Sequence, residues 1–104
     1  MDITQTTFNL SGDTFDYRAR KIVYRNGKSR KLTPKEADVL LMLCENQSNV
    51  TMRHNILTKV WGIDDYFTAR SMDVFITKLR KYLGGNDGIK LINVWGKGFM
   101  LIIR

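Results

Sequence analysis

Arg70-Ser-Met-Asp-Val-Phe-Ile-Thr-Lys-Leu-Arg-Lys81 is the stretch on which the reading of the whole chain turns. At a helical 100° per residue, Met72, Ile76 and Leu79, with Leu83 beyond them, fall within about 60° of arc and form one apolar stripe. The opposite arc carries Arg70, Val74, Thr77, Lys78 and Lys81 and no carboxylate. Asp73 and Arg80 share one flank, where they are expected to form a structural pair or local hydrogen bonds; Phe75 and Tyr82 share the other. A merely solvated helix interleaves both signs of charge, and this face does not. Long cations, a hydroxyl and a methyl-bearing side chain are the groups that meet phosphates, guanine and thymine methyls in a DNA groove. The plainer alternative is a basic surface with no partner. The spacing predicts a helix from about Arg70 to Leu83, stopped by Gly84-Gly85.

Upstream of this helix, Gly62–Ala69 reads as a connector longer than the roughly three or four residues of a minimal helix-turn-helix. Before it, Arg53–Trp61 predicts a second helix burying Ile56, Leu57, Val60 and Trp61, with no clear cap, since Met52 is a poor one. Val50-Thr51 reads as a short strand. Thr33-Pro34-Lys35-Glu36 opens the first helix. Thr33 can accept from the Glu36 N–H, Glu36 can reach back to the Thr33 N–H, and Pro34 occupies the first turn, where no donor is needed. Ala37, Leu40, Leu41 and Cys44 mark its expected buried stripe, and Asn46–Asn49 its end. The first thirty residues read as about four short β-strands, with Asn26-Gly27 as the strongest hairpin signal. Downstream, Lys90–Val94 and Phe99–Ile103 alternate as two strands around Trp95-Gly96-Lys97-Gly98. The order is an antiparallel sheet, three helices and a C-terminal hairpin, an α+β domain over residues 1–104 with no repeat or linker.

A chain of 104 residues with 43% apolar residues is sized for one core, burying about 65% of its unfolded surface. Aromatics at 11% argue against disorder. The apolar runs Val39–Cys44 and Phe99–Ile103 are too short to span a bilayer, and no basic-then-apolar leader opens the sequence. One Cys (Cys44) cannot close an intrachain disulfide, and with one His (His54) it cannot build a protein-only zinc site. These counts fit a cytoplasmic setting and call for no metal or cofactor. Seventeen Lys and Arg against 10 Asp and Glu leave +7, which points to a polyanion, nucleic acid before membrane. Residues 1–16 sum to −3 and residues 17–31 to +7, the latter being either phosphate contacts or a solvated strand face.

An enzyme is disfavoured. His54 has no nucleophile or carboxylate beside it in sequence. Gly96-x-Gly98 lies between strands, whereas a phosphate loop runs from strand to helix. Asp64-Asp65 lacks the further oxygen ligands a cation needs. Two binding alternatives stay open: an RNA-binding domain stacking unpaired bases on Tyr17 and Tyr24, and a protein-binding domain that leaves nucleic acid alone.

Leu32-Thr-Pro-Lys-Glu36, Val60-Trp-Gly62, Arg70–Lys81 and Val94-Trp-Gly-Lys-Gly-Phe99 resemble, in order and spacing, the OmpR/PhoB-type winged-helix effector domain of bacterial two-component response regulators. The resemblance spans about Phe8 to Ile103, and Arg-x-x-Asp-Val-x-Ile-x-x-Leu-Arg is its most specific part. It implies a winged helix-turn-helix with a four-stranded N-terminal sheet, a three-helix core and a C-terminal β-hairpin wing. It also implies sequence-specific binding of promoter duplex DNA for transcription regulation. By that resemblance Val74, Thr77 and Lys78 read bases in the major groove, and Arg70, Arg80 and Lys81 hold phosphates. The wing, with Lys97 and Trp95, approaches the minor groove. Loop 62–69, with Asp64, Asp65 and Tyr66, is where some members touch RNA polymerase. Such domains follow a receiver domain phosphorylated by a sensor kinase (the phosphorelay), which this chain has no room for. The isolated domain is expected to be a monomer, pairing head to tail on tandem half-sites. Two departures stand out: Trp95 replaces a frequent Arg, with packing on its own hairpin the expected role, and Thr77-Lys78 replaces a frequent Arg or polar pair.

Overall fold

The computed structural model describes residues 5–104; the first four residues of the expected domain lie outside that range. Alternating side chains build the N-terminal sheet. Strands β1 (Thr7–Leu10), β2 (Asp13–Asp16), β3 (Lys21–Val23) and β4 (Ser29–Lys31) pair antiparallel in that order. Phe8, Phe15 and Ile22 are register partners on one face and are buried, as the period of two requires. Their row continues to Arg30, whose guanidinium closes the edge by lying 4.3 Å from the centroid of the Tyr82 ring.

Helix α1 (Pro34–Glu45) begins as its sequence dictates. The Glu36 N–H donates to Thr33 Oγ1 at 3.2 Å and the Thr33 N–H to Glu36 Oε1 at 2.8 Å. Glu36 is buried by this reciprocal cap, and its second oxygen accepts from the Tyr82 hydroxyl at 3.2 Å. The helix buries Ala37, Val39, Leu40, Leu43 and Cys44, while Leu41 is only half-buried. The stripe is wider than expected because α1 sits between α3 and the C-terminal sheet.

The second helix differs from the uniform one expected. Helix α2 (Arg53–Ile56) passes into a π-helical segment, Leu57–Trp61, which ends at Gly62 with φ 82°. Met52 offers no side-chain cap. The Arg53 N–H instead donates to the carbonyl of Lys97 at 3.0 Å, so the C-terminal hairpin caps this helix. The sheet there has three strands in the order β5 (Val50–Met52), β7 (Gly98–Ile103) and β6 (Ile89–Val94). Gly98 is required at the β5–β7 crossing, because a Cβ there would stand 2.0 Å from the Thr51 carbonyl oxygen.

Helix α3 (Tyr66–Leu83) starts four residues before the position expected, which corrects the connector to about Gly62–Asp65. Asp65 is its N-cap: the Thr68 N–H donates to Asp65 Oδ1 at 2.9 Å, and the Asp65 N–H to Thr68 Oγ1 at 3.1 Å. A cap built from Asp and Thr lacks the Glu or Gln that marks a capping box in sequence.

Candidate nucleic-acid interface

Met72, Ile76, Leu79 and Leu83 are all buried, which fixes the rotation of α3 and turns the opposite arc outward. Arg70, Asp73, Val74, Thr77 and Lys78 line one shallow depression there. Val74 is 52% exposed, an apolar side chain in the middle of a charged face. The Thr77 hydroxyl donates to the Asp73 carbonyl at 3.0 Å. Its proton is spent inside the helix, leaving an acceptor and a methyl group to offer. The Lys78 ammonium lies 5.9 Å from the Phe75 ring centroid, and Lys81 is exposed. The Arg70 guanidinium donates to the Tyr66 hydroxyl at 3.1 Å and lies 5.7 Å from its ring centroid.

Asp73 and Arg80 do not pair with each other, and the side-chain bonds they make instead reach other elements rather than local neighbours. Seven residues separate them along about 10 Å of helix axis, and each has a nearer partner. Asp73 is held by Arg53 at 2.9 Å. Arg80 donates from Nε to the Leu91 carbonyl at 3.1 Å and from Nη2 to Asn93 Oδ1 at 2.8 Å. Its guanidinium, expected to hold phosphate, is therefore first of all a bracket between α3 and β6. Arg53 and Asn93 were not legible as site residues, because their roles depend on contacts across the fold.

Trp95 corrects the expectation of packing. It is 95% exposed at the tip of the β6–β7 hairpin. The turn closes with the Lys97 N–H donating to the Val94 carbonyl at 2.9 Å and Gly96 at φ 75°. Only Trp95–Lys97 project beyond the strands, and a turn this short sets its side chains past the sheet edge. Lys97 is exposed beside Trp95. A trough runs between α3 and the hairpin, with Asp73, Thr77 and Arg80 on one wall, Arg53 beside them, and Asn93 and Trp95 on the other.

At the opposite end of α3, Asp64, Asp65 and Tyr66 are not an open loop. Asp65 caps the helix, Tyr66 is its first residue, and Asp64 Oδ2 lies 2.7 Å from His54 Nδ1, giving His54 a partner its sequence neighbours do not. The Thr68 N–H holds the Asp65 carboxyl below its ordinary value. Ile63, Tyr66 and Phe67 are exposed together by 53%, 66% and 75%. Ile63 and Phe67 were not singled out in the sequence, although two apolar residues flanking Asp64-Asp65 in a connector are the signal that marks them. Burial pushes the Cys44 thiol up to about 12, so it is no thiolate nucleophile. Among the described residues no group of three or more His, Cys, Asp or Glu is placed to hold a metal ion, and no helix is long and apolar enough to cross a membrane.

The family model "Transcriptional regulatory protein, C terminal" matches residues 27–101. The chain belongs to this family of OmpR/PhoB-type winged-helix DNA-binding domains. Within it, the chain is 46% identical over 95 residues to the transcriptional regulatory protein RprY of Bacteroides fragilis, covering 91% of this chain and 40% of RprY. It therefore spans about two fifths of that relative's length. The DNA-binding domain of Bacillus subtilis CssR superposes with a TM-score of 0.74 at 30% identity, covering 86% of this chain and 99% of that one. The Thermotoga maritima response regulator DrrB, an OmpR/PhoB homologue, superposes with a TM-score of 0.74 at 25% identity over 94% of this chain and 45% of DrrB.

Proposed function

We propose that the chain binds duplex DNA sequence-specifically and regulates transcription as the output domain of a response regulator, with α3 in the major groove. The observation that carries this is the outer face of α3, where Arg70, Val74, Thr77 and Lys78 stand together without an unpaired carboxylate. Val74 and Thr77 suit thymine methyls and base-edge donors, Lys78 suits guanine, and Arg70 and Lys81 suit phosphates. The likeness to the DNA-binding domain of CssR supports the same reading. Arg80 contributes through its remaining N–H groups while bracing the helix.

The RNA-binding alternative loses its platform. The Tyr17 hydroxyl donates to Asp38 at 2.7 Å and the Tyr24 hydroxyl to the Tyr82 carbonyl at 2.9 Å, and both rings pack against the core. The exposed Ile63, Tyr66 and Phe67 beside Asp64 suit a protein contact made while α3 holds DNA, for which RNA polymerase is the proposed partner. In the full-length protein the domain follows a receiver domain served by a sensor kinase in the cytoplasm. Alone it is a monomer, and it gains affinity head to tail on tandem half-sites about one helical turn apart. Gel shifts with duplex DNA, single-stranded RNA and heparin across a salt series test the reading. Duplex selected from a random library should bind above all competitors; equal retention of all three would overturn it.

A further inference from the structure

Trp95 is the one large aromatic of this chain that the fold leaves almost wholly in water among the described residues, at 95% exposure. The other tryptophan, Trp61, meets Phe75 edge-on with centroids 5.4 Å apart. Yet Trp95 does not sit on a loose loop. Its hairpin is fixed to α2 by the Arg53 N–H to Lys97 carbonyl bond, to α3 by Arg80 on Leu91 and Asn93, and to β5 by the close approach of Gly98 to Thr51. An exposed indole on a braced support is held at a set place relative to the reading helix. That is what a recognition group needs and what a solvated turn does not.

The trough between α3 and the hairpin says where that place is. Arg53, Arg80, Thr77 and Asn93 line it together with Asp73, whose carboxylate is paired with Arg53 at 2.9 Å; two cations against one acid leave it net positive, as suits a sugar–phosphate strand. With α3 in the major groove, the ridge beside it is such a strand, and the next feature beyond the ridge is the minor groove. Trp95 stands on the far wall. This inference rests on the DNA-binding reading above.

We propose that Trp95 enters that minor groove and makes the domain select a TA step there. Two properties of indole set the choice. It has one N–H donor and no acceptor, while A·T and T·A pairs show only acceptors at their minor-groove edge and G·C adds a donor. A·T pairs therefore satisfy the indole and G·C pairs oppose it. The ring is also bulky and uncharged. It gains nothing from the strong negative potential of a narrow, stiff A-tract, which rewards Arg, and it needs a groove that opens. Pyrimidine–purine steps open most readily and accept apolar wedges. TA alone combines an acceptor-only edge with an easily opened step.

The test starts from a duplex selected out of random DNA by the intact 104-residue chain, with the flank under the hairpin then replaced by TATA, AAAA or CGCG. The native chain should bind in the order TATA, AAAA, CGCG, with about tenfold between first and last, in line with the value of one stacked aromatic. W95F keeps a wedge and loses the donor, so it should still favour TATA over AAAA but discriminate less between TATA and CGCG. W95R should move AAAA to first place. Fluorescence of the native chain should change on binding TATA duplex, and W95F should lose that change. Melting temperatures of all variants should match the native chain, since the side chain is not packed. A flat response to the flank, or AAAA preferred by the native chain, overturns the proposal. Failure of the native chain to select any duplex overturns the DNA-binding reading itself.

Discussion

The two sheets of this domain use the same kinds of residue in opposite ways. The N-terminal sheet turns its aromatic groups inward: Phe8 and Phe15 stack with centroids 6.0 Å apart, and the Tyr17 and Tyr24 hydroxyls are tied to Asp38 and the Tyr82 carbonyl. One of its cations, Arg30, lies over a ring of the core edge. The C-terminal sheet spends its bonds on bracing, through Arg80, Asn93 and the Lys97 carbonyl, and leaves Trp95 and Lys97 outside. Both sheets hold aromatics and cations, so composition cannot rank them. What separates them is the fate of their aromatic side chains: the Tyr17 and Tyr24 hydroxyls are satisfied within the fold, whereas Trp95 is left outside it.

The contrast predicts loss of stability from one sheet and loss of binding from the other. The largest effect is expected for Phe15→Ala, which empties a fully buried site and should cost about 4 kcal/mol of unfolding free energy. Chemical denaturation measures it, and the folded fraction should keep its sequence preference. A change of preference at unchanged stability would place the N-terminal sheet in the interface. Lys78→Ala should leave unfolding unaltered and weaken specific duplex binding by about 1–3 kcal/mol, relaxing the preference at one base pair. Unchanged affinity for both specific and random duplex would remove α3 from the groove.

Smaller effects sharpen the same line. Arg70→Ala should weaken binding to every sequence about equally and flatten the salt slope by roughly one. Tyr17→Phe should cost about 1 kcal/mol of stability and nothing in DNA affinity. Its hydrogen bond to Asp38, followed by burial, raises the Tyr17 pKa above 10.0. The folded value exceeds the unfolded one, so this group's contribution is complete below 10.0 and fades as pH rises through the folded value. Tyr17→Phe should remove that alkaline component from a pH series of unfolding.

The smallest effect is at the start of α3. The Asp65 pKa is depressed below 3.8 by the Thr68 N–H. Its support of the first helical turn is thus present above 3.8 and lost as pH falls through the lower folded value. Amide exchange at Thr68 should rise on acidification in the native chain, and Asp65→Asn should abolish that pH dependence.

Periodicity and local chemistry determined much of this protein from sequence alone. The four-residue apolar stripe of α3, the Thr33–Glu36 capping box, the Asn26-Gly27 turn and the C-terminal hairpin all depend on residues close together along the chain, and all are present. So is the outward set Arg70, Val74, Thr77 and Lys78, since a helix with one buried stripe leaves its opposite face no choice of direction. Tertiary structure alone decided what depends on partners far apart in sequence. Asp73 took Arg53 and Arg80 took β6, because a rotating helix flank meets whichever element packs beside it. Asn86 became a buried tie, donating to the carbonyls of Leu10 and Ser11 and to Asp13, each at 3.0 Å. Met52 needed no capping side chain once the hairpin carbonyl of Lys97 lay over the start of α2. Trp95 looked like a residue to bury, since a large apolar ring gains by leaving water. Only the assembled sheet shows that its tip reaches past everything in the domain that could cover it.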